Sequence, residues 1–204
     1  QINGISLVGF KAISAQRSES CSRLVISTDS AEIQADALSY GVEVPFTRPT
    51  GLATDAASSI DVIAHAMEWI EGNTNEHYDA VMLLEPSSPL TRSLDYDNAV
   101  NIMIEQDANV VLGMRETAIN SVFIGPMDDS GRMAPIVDRL KGLKNARRQD
   151  MSPEYTMNGG LYLFKWDFFQ QHKAIYHDRE KTFGYVMDPY YSIEIDEMID
   201  LEWI

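Results

Sequence analysis

The stretch DAVMLLEP, residues 79–86, constrains the fold more than any other. Its apolar core is nearly continuous, the pattern of a central strand covered on both faces. Around it, short apolar runs take turns with helical stretches, which predicts βα units and one doubly wound α/β domain. Leu7, Phe10, Ile13 and Ser14 fall on one side of a first helix, followed by RLVIST (23–28) as a buried strand. Asp29 and Glu32 have the spacing of a capping box for a second helix that ends at Gly41, and VEVPF (42–46) reads as a short strand. Ile60, Ile63, Ala64, Met67 and Ile70 form one stripe of a helix that Ser58 can cap. Ser93 opens a further helix, and ANVVLGM (108–114) and GGLYLFKW (159–166) are further strands. From about 115 to 155 the rhythm weakens, with Gly125, Pro126, Gly131 and Pro135 punctuating an excursion from the domain.

Composition narrows the function. A chain of 204 residues with 45% apolar and 23% charged residues has the size and make-up of one soluble domain. A net charge of −15 argues against a nucleic-acid polymer as partner, because such binding rests on many Lys and Arg contacts to phosphate. It leaves room for a small phosphorylated ligand held through a divalent cation. No apolar run approaches the ~20 residues of a membrane span, and no secretory leader is evident at the start. Cys21 is the single cysteine, so neither an internal disulfide nor a cysteine-built metal cluster is expected, which suits the cytoplasm.

In doubly wound sheets, ligands sit beyond the carboxyl ends of the strands. STDS (27–30), EPSSPL (85–90) and EID (194–196) all fall at such ends. In YSIEIDEMIDL (191–201), Glu194 and Asp196 are two apart on one face of an apparent strand, with Cα atoms ~7 Å apart and both carboxylates able to reach one ion. The pair reads either as a magnesium site or as a solvated edge strand in which Asp196 caps a following helix. LATDAASS (52–59) offers hydroxyls at a helix start, where free N–H groups hold anions but also simply cap. Two prolines fix the backbone beside Glu85, an acid at the lip of the central strand. Arg139, Lys141, Lys144, Arg147 and Arg148 form a basic run, either a solvated loop or an anion-binding arm. Asn158 with Gly159 and Gly160 reads either as a turn needing positive φ or as a polar group beside bare backbone for a hydroxylated ligand.

Taken in order, VISTDS (25–30), RPTGLATDAASS (48–59), LLEPSSPL (83–90), RQDMSPEYTMNGGLYLF (148–164) and YSIEIDEMIDL (191–201) resemble the successive motifs of the CMP-sialic acid synthetases, the N-acylneuraminate cytidylyltransferases. The resemblance covers essentially the whole chain. It implies a Rossmann-like nucleotidyltransferase fold with three α/β/α layers, and a homodimer built through the excursion at about 115–155. It implies the reaction of CTP with a nine-carbon α-keto acid sugar, N-acylneuraminate or legionaminate in type, to give the CMP-sugar and pyrophosphate with Mg²⁺. On the family's pattern Glu194 and Asp196 hold the metal, and Ser58, Ser59 and Asp29 fall at the nucleotide site. Glu85, Arg148, Asn158, Gly159 and Tyr162 fall at the sugar site, with Arg148 meeting the sugar carboxylate. The family's opening strand and basic glycine-rich loop have no counterpart in residues 1–204, and INGISLVGF (2–10) is similar to the segment just after that loop. Glu85 stands where relatives have glutamine, Glu194 where they have aspartate and Thr156 where many have arginine. Two other readings fit the same residues: a different sugar nucleotidyltransferase or nucleotide-sugar glycosyltransferase, and a non-catalytic, dimerising sugar- or nucleotide-binding subunit.

Overall fold

The computed structural model describes residues 1–54, 56–143 and 151–202. Six helices, α1 (Leu7–Gln16), α2 (Ala31–Ser39), α3 (Ser59–Thr74), α4 (Ser93–Glu105), α5 (Ala134–Lys141) and α6 (Trp166–His172), accompany four strands. These are β1 (Ala80–Leu83), β2 (Val110–Glu116), β3 (Tyr155–Lys165) and β4 (Thr182–Val186), in the spatial order β1-β3-β2-β4. β3 runs antiparallel to both β1 and β2, and β4 lies parallel to β2, so the sheet is mixed rather than wholly parallel.

Side chains alternate across the sheet and meet helices on both faces, which produces the expected three layers. On one face Val110, Leu112 and Phe164 pack against Ile63, Met67 and Ile70 of α3 and the aromatic side chains of α6. On the other, Val111, Leu161 and Leu163 pack against Ala15 of α1 and Tyr96, Ala99 and Met103 of α4. Ser58 caps α3, accepting the Ile60 N–H at 3.2 Å, as the sequence predicts.

Several expectations need correction. The deepest strand is β3, not residues 79–86: β1 is only half-buried and forms one end of the hydrogen-bonded ladder. Residues 23–28 and 42–46 are not ladder strands. They run side by side through a bridge at Val25 and Glu43, with the Ile26 N–H on Glu43 O at 3.0 Å and the Glu43 N–H on Leu24 O at 3.1 Å. Leu24 joins Ala80 and Met82 in one core layer and Val25 joins Val81 and Leu83 in the other. Residues 24–28 therefore lie level with β1, yet among the described residues no backbone hydrogen bond links the two. The cap of α2 is Ser30, whose hydroxyl accepts from Ile33, one residue beyond the expected Asp29. In α1 the buried face is Gly9, Lys11, Ala12 and Ala15, because small residues allow α2 and α4 to approach; Leu7, Phe10 and Ile13 stay half-exposed.

Between β2 and β3 the described residues form a short turn and one helix. The helix, α5, packs on the turn Ser121–Phe123, and Arg139 donates to Ser121 O and Ile124 O at 2.9 and 2.6 Å. This segment leaves Ile119, Ile124, Met127, Met133 and Val137 exposed. No helix among the described residues is long and apolar enough to cross a membrane.

Candidate active site

The site forms where the carboxyl end of β1, the first half of β3 and residues 193–196 converge. After β1 the chain turns, with the Ser88 N–H on Glu85 O at 3.1 Å, and Pro86 and Pro89 restrict the backbone on either side. The Glu85 N–H reaches Gly159 O at 3.4 Å, and the Ile195 N–H donates to Ser87 O at 2.8 Å, drawing the EID segment against this lip. The Gly159 N–H donates to Glu194 Oε1 at 2.7 Å, and Glu194 Oε2 lies 3.8 Å from Arg115 Nη2 on β2.

Gly159 is the hub. A Cβ there would stand 2.5 Å from Glu85 Oε2, 3.0 Å from Ser88 Oγ and 3.3 Å from Glu194 Oε1. The glycine is required by close approach and not by a left-handed turn, since neither Gly159 nor Gly160 has positive φ. Ser88 Oγ is buried without a hydrogen-bond partner among the described residues.

Electrostatics unite the cluster. Burial pushes the Glu85 carboxyl up from its ordinary value, and the charges of Glu194 and Asp196 push it further while Lys11 opposes them. Tyr162, facing the same space from β3, is pushed up to about 12 by burial and by Glu85, and Tyr176 is raised by the same two causes. The arrangement can accept hydrogen bonds from a hydroxylated ligand and can attract a cation.

The structure thus brings together Glu85, Gly159, Tyr162, Glu194 and Asp196. Asn158 sits beneath them, 1% exposed, with Nδ2 on Met187 Sδ at 3.3 Å and Oδ1 accepting the Gly160 N–H at 3.0 Å, so its amide braces the strand. Ser58, Ser59 and Asp29 are exposed at the starts of α3 and α2. Arg148 lies outside the described residues, as do Lys144 and Arg147. Residues 193–196 lie outside the ladder, and Asp196 caps no helix: its N–H and that of Glu197 donate to Asp200 Oδ2, at the start of one short turn, Asp200–Glu202. Arg115 and Ser88 were not singled out in the sequence. Arg115 had one signal, a cation just beyond the apolar run of β2; the partnerless state of Ser88 is a packing outcome with none.

The fit of a divalent cation can be judged from the donor set. Among the described residues no three His, Cys, Asp or Glu side chains converge as a self-sufficient metal cage. Magnesium, however, is commonly held by one or two carboxylates with the remaining positions given to substrate phosphates and water. The charges of Glu194 and Asp196 both add to the burial that raises the Glu85 carboxyl, an excess of negative potential that a cation would offset.

No family model matches the chain. Its fold is that of an α/β nucleotidyltransferase. It is similar over 92% of its length to 82% of a solved CMP:2-keto-3-deoxy-manno-octonic acid synthetase, with TM-score 0.62 and 13% identity. It is also similar over 100% of its length to 86% of 4-diphosphocytidyl-2C-methyl-D-erythritol synthase from Anaerococcus prevotii, with TM-score 0.65 and 9% identity. The sequence goes further than the fold and is CMP-sialic acid synthetase-like, as the order of its motifs implies. The chain is 28% identical over 202 residues to post-translational flagellin modification protein B of Campylobacter coli, covering 99% of this chain and 83% of that protein. It is 29% identical to the CMP-N,N'-diacetyllegionaminic acid synthase of Campylobacter jejuni, with the same coverage. To the N-acylneuraminate cytidylyltransferase of Escherichia coli it is 28% identical, over 96% of this chain but only 44% of that enzyme, so it spans less than half of the longer relative.

Proposed function

We propose that this chain transfers the cytidylyl group of CTP to a nonulosonic acid of the sialic or legionaminic type. The observation that supports it most is the meeting of Glu85, Glu194 and Gly159 at one strand lip in a chain whose relatives, matched over nearly all of it, are cytidylyltransferases. In the reaction the anomeric hydroxyl oxygen of the sugar attacks the α-phosphorus of CTP. A new P–O bond forms, the bond to the bridging α–β oxygen breaks, and pyrophosphate leaves while the hydroxyl proton passes to solvent or a nearby base.

Glu194 and Asp196 would hold Mg²⁺, which when bound offsets triphosphate charge. The protein's own groups orient the sugar: Glu85 and Tyr162 accept from or donate to its hydroxyl and amide groups, Ser88 offers a free hydroxyl, and Arg148 meets its carboxylate. Ser58, Ser59 and Asp29 serve the cytidine end. The exposed apolar side chains of the excursion suit a homodimer interface.

The test is pyrophosphate release by the full-length protein with each of the four nucleoside triphosphates, N-acetylneuraminate or N,N'-diacetyllegionaminate, and Mg²⁺ or chelator. Turnover specific to CTP, dependent on Mg²⁺ and on one of the two acids, is expected. Turnover with another nucleotide only, or none at all, overturns the proposal.

A further inference from the structure

Lys11 is the one charged residue of α1 turned fully inward, 5% exposed, on a helix face otherwise built from Gly9, Ala12 and Ala15. Its Nζ donates to Thr91 Oγ1 at 2.9 Å and to Gly160 O at 3.0 Å. Thr91, itself buried, uses its hydroxyl proton on Ser88 O at 3.1 Å, so the amine is tied through one hydroxyl to the residue whose own Oγ is partnerless at the site. Gly160 follows Gly159, and its N–H is held by Asn158 Oδ1. One buried amine therefore clamps three elements: α1, the lip at residues 85–91, and the glycine pair of β3.

Nothing in packing alone asks for this. Burying an ammonium group is strongly unfavourable unless it is hydrogen-bonded and paired, and an apolar side chain would fill the same space between α1 and the sheet more stably. The groups facing Lys11 from the packed elements are Glu85 on the lip and Asp95 and Tyr96 on α4, with the Tyr96 ring centroid 5.8 Å from Nζ.

We infer that Lys11 is a positioning residue for the sugar-acid half of the site: its donors hold the Gly160 carbonyl and the Ser88–Thr91 turn in register, so that Glu85, Ser88 and the Gly159 N–H that holds Glu194 keep their places at the site. This rests on the proposed function for the identity of the ligand, but not for the geometry. Burial lowers the amine's pKa to about 7, with Glu85 and Asp95 pulling it back up, so near neutrality it keeps its donors in either protonation state.

Two variants of the full-length protein separate donor from bulk. Lys11→Met removes the donors while keeping the shape, and Lys11→Gln restores two N–H donors without charge. Leaving a buried acceptor unpaired is expected to lower kcat/KM for the sugar acid in Lys11→Met by about tenfold or more. The KM for CTP should stay within about twofold and Tm should not fall, while Lys11→Gln recovers most of the loss. Unchanged kinetics in Lys11→Met, or equal losses toward CTP and the acid, overturn the inference. Should the wild-type protein turn over neither acid with CTP, the functional proposal falls alone. Lys11 is then judged by the amide resonances of Gly159 and Gly160, expected to move in Lys11→Met and to return in Lys11→Gln; resonances unmoved in Lys11→Met overturn it.

Discussion

The two halves of β3 are built on opposite terms. Residues 162–164 pair on both sides, with β1 and β2, and Leu161, Leu163 and Phe164 enter two core layers. Residues 155–160 are exposed at Tyr155, Thr156 and Met157, then bare at Gly159 and Gly160, and their register with β2 is broken by a bulge between Leu112 and Met114. The first set is stabilised by what its side chains bury. The second is defined by what it leaves out, so that two carboxylates and a hydroxyl can approach the backbone. One strand thus serves as foundation at one end and as ligand platform at the other.

That contrast can be broken or sharpened by substitution. At the foundation, Phe164→Ala is expected to destabilise by about 3–5 kcal/mol, read by denaturant unfolding, while the folded fraction keeps its kcat. At the platform, Asp196→Ala should do the reverse, lowering kcat roughly 10²–10³-fold, the size of losing one charge-stabilising group, with Tm unchanged. A fall in Tm with normal kcat would assign Asp196 to structure. Gly159→Ala sits between the two kinds: its Cβ meets Glu85, Ser88 and Glu194, so an overpacking loss of about 1–3 kcal/mol should appear together with reduced turnover.

Smaller effects come from the buried charges. The folded pKa of Lys11 is depressed from 10.5 to about 7, so its contribution to stability is full above 10.5 and is lost as pH falls through about 7. Lys11→Met should therefore raise Tm relative to wild type most at pH 6 and least near pH 10. Glu85 is raised above its ordinary 4.5, so its favourable protonated state is full below 4.5 and is lost as pH rises through the folded value. Glu85→Gln should then stabilise modestly at pH 7 and make no difference near pH 4; the opposite trend would mean that the acids do not share one field.

The foundation was legible in the sequence because burial leaves a periodic trace. The stripe Ile63, Met67, Ile70 and the runs of β2 and β3 fell where they were expected, and Ser58 caps as its chemistry dictates. The platform was legible only where residue chemistry was unusual: Glu194 and Asp196 as a spaced pair, Glu85 ahead of two prolines, Gly159 beside Asn158. Lys11 was hidden because periodicity assigns the large apolar residues inward, whereas α1 packs through its small ones. Arg115 and Ser88 were hidden because their roles depend on partners 79 and 71 positions away, and the one local signal, the cation after the apolar run of β2, does not name its partner. The rank of β1 was misjudged because hydropathy reports the faces of a strand and not whether its edges are paired.

Those edges have a measurable consequence. Along β1 every second residue turns both its N–H and its C=O to β3, and the alternate residues turn theirs toward residues 24–28, where no partner receives them among the described residues. In hydrogen–deuterium exchange the four amides of Ala80–Leu83 should split into slow and fast exchangers by parity, while residues 162–164 remain uniformly slow. Slow exchange at the outward pair as well would show that those amides have partners and would overturn the split.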